Sequence, residues 1–132
     1  KWRMTKNHNN YSDMLNIEEL RDYCLSLGGV EEKMPFGRFA ARFDSLLVFY
    51  VTGHMFCMAD IDSFTSINVK STPDSIAELR RLYAGIGEPV NKTMRDWVSL
   101  PVDGEIPDDE LLRLIRTAYD IIRTKYTRKS RS

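Results

Sequence analysis

The sequence predicts an α+β fold: a two-layer sandwich with helices on one face of an antiparallel sheet. Three observations carry this expectation. Helical periodicity is confined to three segments, near residues 17–27, 73–83 and 107–126. Between the first two lies a run of strand-like segments joined by tight turns, and strands so joined must be antiparallel. Strands and helices are segregated along most of the chain, which points to layers rather than to repeated βαβ units.

Residues 1–14 are polar, rich in Asn and without period, so a disordered lead-in is expected there. The chain starts at Lys1, and Met14 directly precedes the first patterned helix, which makes it a candidate alternative start. That helix is expected to open at Asn16, a good N-cap, with Glu18 and Glu19 favoured in its first turn by the helix dipole. Ile17, Leu20, Cys24 and Leu27 recur at helical spacing and form its buried stripe. Gly28 and Gly29 end it, because glycine adopts the left-handed conformation that follows a helix C-terminus.

Strands come next. Residues 38–43 are short and rich in aromatics, and Asp44-Ser45 reads as a turn. Leu46 to Val51 is a continuous apolar run, suited to a central strand. Thr52-Gly53 is a two-residue hairpin candidate, and residues 54–59 return as its partner. Residues 60–63 read as a loop, and residues 66–70 as a short strand with alternating faces. Pro73 fits the first turn of a second helix capped by Thr72 or Ser71, with Ile76, Leu79, Leu82 and Tyr83 as its inner stripe. Residues 84–89 are a Gly/Pro-marked loop. Residues 96–100 form the expected last strand, stopped by Pro101. Asp103-Gly104 is a turn. A third helix starts near Pro107 and three acids, with Leu111, Leu114, Ile115, Ala118, Ile121 and Ile122 patterning it to about Tyr126.

A chain of 132 residues is most simply one domain, here residues 15–126, followed by a basic tail at 127–132. Burying roughly two-thirds of the unfolded surface suffices for an ordinary core at this size. Hydrophobic content of 42% and charged content of 29% are those of a globular protein. Nineteen basic and nineteen acidic residues cancel, so the global charge gives no help to polyanion binding, and a nucleic-acid role needs a local basic face. No apolar run approaches the ~18 residues needed to cross a membrane, and the N-terminus carries no apolar secretory core. Cytoplasm is the expected location, with no membrane partner and a monomer as the default. Cys24 and Cys57 each sit within apolar patterns and share no metal-type spacing, so two buried thiols are expected.

The order of elements and their residues resemble the MmcQ/YjbR-like family. The matching residues are Asn16 to Arg21 with Cys24, Gly29-Val30-Glu31-Glu32, Pro35-Phe36-Gly37 and Gly53-His54-Met55-Phe56. Later matches are Ile67 to Lys70, Asn91-Lys92, Trp97 and the last helix from Pro107 to Asp120. The resemblance covers roughly residues 14–125. It implies a fold like that of the bacterial frataxin homologues, and DNA binding. A fainter likeness to the N-terminal domain of the TfoX competence regulators rests on residues 53–56, 68–70 and 97–101. One departure stands out. Family members carry Asn-Lys, one variable residue, then His-Trp. Here Asn91-Lys92 is followed by Thr93-Met94-Arg95-Asp96-Trp97, so the histidine is absent and the tryptophan falls two residues late. Arg95 is a candidate source of positive charge in its place.

No catalytic set is expected, and neither a cofactor nor a metal is implied. His8 lies in the lead-in, and His54 opens a strand beside a turn. A Cys57–His54 nucleophile pair is disfavoured, since three residues along one strand place them on opposite faces. There is no Ser-His-Asp set, phosphate-cradling glycine loop or zinc spacing. Glu18, Glu19, Asp22, Glu31 and Glu32 offer an acidic ridge of the kind a hard metal needs, but Arg21 sits among them, and solvated helix surface is the simpler reading.

The expected function is therefore DNA binding through a basic surface of sheet and loops, without catalysis. The candidate phosphate contacts are Arg38, Arg42, Lys70, Lys92 and Arg95, with Arg38 and Arg42 on one strand face. Arg80 and Arg81 lie on the second helix. Arg123, Lys125, Arg128, Lys129 and Arg131 make a positive C-terminus, suited to the helix dipole. The alternative is a protein- or small-molecule-binding module. Phe36, Phe39, Phe43, Tyr50, Phe56, Phe64 and Trp97 exceed what one small sheet face hides easily, and an exposed cluster of them would mark a partner surface.

Overall fold

The computed structural model describes residues 14–36, 44–89 and 93–131, with side chains to residue 127. The described elements are, in order, α1 (Ile17–Ser26), β1 (Val30–Lys33), β2 (Leu46–Val51), β3 (His54–Asp60), β4 (Ser66–Lys70), α2 (Pro73–Leu82), β5 (Trp97–Pro101) and α3 (Asp108–Arg131). The sheet runs β1-β2-β3-β4-β5, and every neighbouring pair is antiparallel. The helices lie on one face, as expected of the α+β class.

Local chemistry accounts for most boundaries. The Asn16 side chain accepts from the Glu19 N–H at 2.8 Å, and the Glu19 carboxylate accepts from the Asn16 N–H at 3.1 Å, a reciprocal capping box. Gly28 and Gly29, at φ +101° and +70°, turn the chain out of α1. Thr52 and Gly53, at φ +52° and +80°, form the two-residue turn between β2 and β3, and two left-handed residues match the twist of the flanking strands. Thr72 caps α2 by accepting from the Ser75 N–H at 3.2 Å, with Pro73 in the first turn.

Several elements depart from the sequence pattern. β1 is a strand that the pattern does not announce. Val-Glu-Glu-Lys is mostly charged, and only pairing with β2 (Val30 opposite Val51, Glu32 opposite Phe49) makes it one. β5 begins at Trp97 and includes Pro101, which sits opposite Ser66 at the strand's end, where a missing N–H is tolerated. Beyond β5, Gly87 and Ser99 exchange both backbone hydrogen bonds, at 2.9 and 3.1 Å. Leu82 is half exposed rather than part of the inner stripe of α2, because the helix ends there and only Leu79 is fully buried. α3 continues to Arg131, past the last strongly apolar turn. The expected strand at residues 38–43 lies outside the described residues.

A β-bulge shapes the core. Phe49 faces Cys57 and Tyr50 faces Met55, so Phe56 is the extra residue in β3. Alternation breaks there, and Phe56 and Cys57 are both fully buried beneath the helices. The same bulge puts His54 and Cys57 on the same, helix-facing side, contrary to simple alternation. They remain apart in environment, with His54 exposed and Cys57 buried. The main core joins Leu20 and Cys24 of α1, inward residues of β2 to β5, and Leu111, Ile115, Ala118 and Tyr119 of α3. A smaller cluster on the other sheet face buries Val48, Met58 and Trp97, with Phe36, Tyr50, Met55 and Met94 packed against it. Both faces are therefore apolar, which is how the chain accommodates its aromatics. Phe56 and Phe64 go to the main core, while Phe36, Tyr50 and Trp97 go to the second cluster.

Candidate nucleic-acid interface

The antiparallel register collects Val30, Val51, His54, Lys70 and Trp97 at one end of the sheet, the end of the β2–β3 hairpin. α3 reaches this end last. Its first turn is tied to the far end, where Asp108 accepts from the Leu15 N–H at 3.2 Å. At the hairpin end, the Tyr126 ring stacks on His54 with 3.4 Å between centroids and 10° between planes.

Two of the five expected phosphate contacts lie in this region and touch. Lys70 closes β4, and its ammonium donates to the carbonyl oxygen of Arg95 at 3.2 Å. Arg95 is exposed in the turn that enters β5. Arg38, Arg42 and Lys92 lie outside the described residues. Lys70 also lines a cavity of about 180 Å³ with His54, Trp97, Lys125 and Tyr126. Lys125 lies 5.3 Å from the Tyr126 ring centroid. In sequence, Arg123 and Lys125 are only part of a basic terminus. Their separation from Lys70 by more than fifty residues left no local signal of a shared site.

Ion pairing separates the described basic side chains into two groups. Arg21 is held by Glu32, Lys33 by Glu31, Arg80 by Glu88, Arg81 by Glu78, Arg113 by Glu110 and Arg116 by Asp120. Lys70, Arg95, Arg123 and Lys125 make no ion pair among the described residues, and all four belong to the hairpin end. Asp96, beside Arg95, is the nearest opposing charge in sequence, and its backbone carbonyl accepts from the Ser71 N–H. The far end carries Asp44, Asp60, Asp62, Asp103, Asp108 and Asp109. Partial burial pushes the Asp60 carboxyl up, but hydrogen bonds from Ser45 Oγ and the Asp62 and Ser63 N–H groups outweigh it and hold it below the usual range. Among the described residues, the cations without an ion pair thus gather at the hairpin end and these aspartates at the other.

The acidic ridge is used within the fold. Glu32 faces α1, where Arg21 donates two parallel hydrogen bonds at 2.8 and 2.5 Å and holds the carboxyl below its ordinary range. Glu19 serves the α1 cap. Among the described residues no group of three or more His, Cys, Asp or Glu is arranged to hold a metal ion. Both cysteines are free and buried. Burial pushes the Cys24 thiol well up, and contact with Cys57 adds to the shift. Among the described residues no helix is long and apolar enough to cross a membrane.

Comparison with known proteins places this architecture. A crystal structure of a Deinococcus radiodurans protein with a DUF419 domain superposes at a TM-score of 0.72, with 29% identity over 85% of this chain and 81% of that one. A Pseudomonas syringae protein of known structure shares the fold at a TM-score of 0.64, with 18% identity over 83% of this chain and all of that one. No curated protein matches. The family profile described as YjbR matches residues 25–121, from the end of α1 into α3. With that match spanning most of the chain and every described strand, this chain belongs to the YjbR family.

Proposed function

We propose that this protein binds DNA through its hairpin end, acting in the cytoplasm as a binding protein rather than an enzyme. Lys70, Arg95, Arg123 and Lys125 supply the phosphate contacts. The observation that carries the reading is that these four cations are the described basic side chains without a carboxylate partner, and that they share one end of the molecule. An unpaired cation releases no intramolecular partner on binding, so its attraction to phosphate is undiminished. Segregated charge also orients the approach of a polyanion, with the basic end leading. Arg38, Arg42 and Lys92 extend the same proposal from sequence alone.

The alternative, a partner surface of sheet aromatics, has less support. Val48, Met58 and Trp97 on that face are already buried, with Phe36 and Tyr50 packed against them. Among the described residues, the large exposed apolar side chains, Met14, Leu25, Met34, Ile61 and Leu82, belong to five different segments.

Fluorescence anisotropy with a labelled random-sequence duplex tests the proposal. Four phosphate contacts give a log–log salt slope of about −3.6. Absence of binding at low salt, or binding insensitive to salt, overturns it.

A further inference from the structure

A recess of about 410 Å³ opens on the flank of α3 away from the Lys70–Lys125 cavity. Its walls are the turn after α1, the β2–β3 hairpin and α3. Gly28, Gly29, Thr52, Arg116, Tyr119 and Arg123 shape it. Its volume falls within the roughly 300–1,000 Å³ range of small-molecule sites.

The chemistry of the walls is one-sided. Arg116, Tyr119 and Arg123 stand at i, i+3 and i+7 on one stripe of α3, so two guanidinium groups flank the tyrosine. No carboxylate lines the recess. Arg116 is partly engaged by Asp120, at 3.5 Å on an exposed pair, and Arg123 has no ion pair among the described residues. The carbonyl end of α1 faces the same space and brings partial negative charge. The Tyr119 hydroxyl offsets part of it by donating to the Gly28 carbonyl oxygen at 2.7 Å, with that of Leu27 at 2.8 Å. The balance at the recess is therefore positive.

The backbone leaves the space open. Gly28 and Gly29 both have positive φ, and a Cβ at Gly29 would meet nothing within 4 Å. A ligand can approach that bare turn closely. At the rim, Thr52 holds φ +52°, a left-handed conformation that is uncommon for a β-branched residue. Strained residues of this kind cluster at binding sites, where the surrounding fold imposes them.

We propose that this recess binds a small phosphorylated molecule, with its phosphate held between Arg116 and Arg123. Planar guanidinium groups match phosphate oxygens in pairs of parallel hydrogen bonds, which a dianionic phosphate monoester or diphosphate satisfies better than a monocarboxylate. The recess shares Arg123 with the DNA-binding reading but does not rest on it, since Lys70, Arg95 and Lys125 take no part in it.

The test is titration of the full chain with inorganic pyrophosphate at low salt, followed by calorimetry and backbone amide NMR. One-site saturation is expected, with shifts centred on Gly28, Gly29, Thr52 and Arg123. R116Q and R123Q should each weaken binding at least tenfold, while K70E and K125Q leave it within twofold. Arg116 and Arg123 are exposed, so both variants keep the fold. Absence of saturation, or affinity unmoved by R116Q and R123Q, overturns the proposal. Excess duplex DNA separates the two sources of phosphate. Pyrophosphate that stays bound supports a small-molecule site, whether or not the duplex binds elsewhere. Displacement by duplex that persists in K70E and K125Q overturns it and assigns the arginines to a nucleic-acid backbone, whereas displacement lost in those variants reflects the shared Arg123 and supports it.

Discussion

The hydroxyl of Tyr119 donates to the carbonyl oxygen of Gly28 at 2.7 Å and lies 2.8 Å from that of Leu27, joining α3 to the end of α1 across ninety residues of sequence. Its ring packs edge-on against Phe56, the bulged residue of β3, with centroids 5.5 Å apart. One side chain thus connects both helices to the irregular point of the sheet. Tyr119→Phe keeps the ring and removes the hydrogen bond, so a loss of about 1 kcal/mol is expected in urea unfolding. Tyr119→Ala also opens a cavity and should cost about 3–5 kcal/mol. Equal stability of the phenylalanine variant would show that the hydroxyl contributes nothing.

Thr52 occupies a left-handed turn position that asparagine or glycine fills at lower cost. Thr52→Asn should raise stability by about 0.5–1 kcal/mol, read as a higher urea midpoint at unchanged m-value. A lower midpoint would mean that the threonine hydroxyl contributes more than the strain removes.

Asp60 offers a pH test with a defined sign. Its carboxyl is held below the ordinary value of 3.8, so it contributes stability that is present above that pH and lost as pH falls through the native value. Asp60→Asn removes the charge and leaves an acceptor. The variant should be less stable by about 0.5 kcal/mol at pH 7, and the difference should shrink between about pH 5 and pH 2. Urea titrations of both proteins across that range measure it. A constant difference would assign the cost to altered geometry rather than to charge.

DNA affinity should depend on which cation is changed. Lys70→Glu and Arg95→Glu together should lower affinity at least tenfold and reduce the magnitude of the salt slope by about 2. Arg80→Glu with Arg81→Glu makes the same change of net charge on α2, where both arginines already have carboxylate partners. That control should move affinity less than threefold. Equal losses from the two pairs would reduce the effect to net charge alone.

Cys24 and Cys57 are buried in the main core, with the Cys24 thiol pushed up by burial and its neighbour. Thiolate is the reactive form, so both should resist a bulky aromatic disulfide reagent in the native protein. Labelling should follow the unfolding rate and accelerate with urea. Immediate stoichiometric labelling in buffer would contradict their burial.

Several features were legible because their causes are local. The α1 cap at Asn16 needs only Glu19, three residues on, and the Thr52-Gly53 turn needs only its two residues and the apolar runs beside it. Two buried thiols and the family relationship were readable in the same way, from short patterns in order. β1 was not, since four residues with three charges carry no strand period and gain one only from β2. The bulge at Phe56 was also hidden. Sequence alternation implies opposite faces for His54 and Cys57, and the extra residue puts them on one.

The candidate site divides along the same line. Lys70 and Arg95 were nameable from sequence, and their contact follows from the pairing of β4 with β5. By itself the sequence determined the α+β class, the helix caps, the main hairpin and a balanced charge. Only the tertiary structure decided that the described cations without an ion pair gather at one end. Hydrogen bonds that start and stop helices and turns span a few residues, so sequence encodes them directly. The position of a charge depends instead on strand register and on where a long helix finishes. Those are set by burying side chains distant in sequence in one core, which brings Lys125 and Arg123 to the end that already holds Lys70.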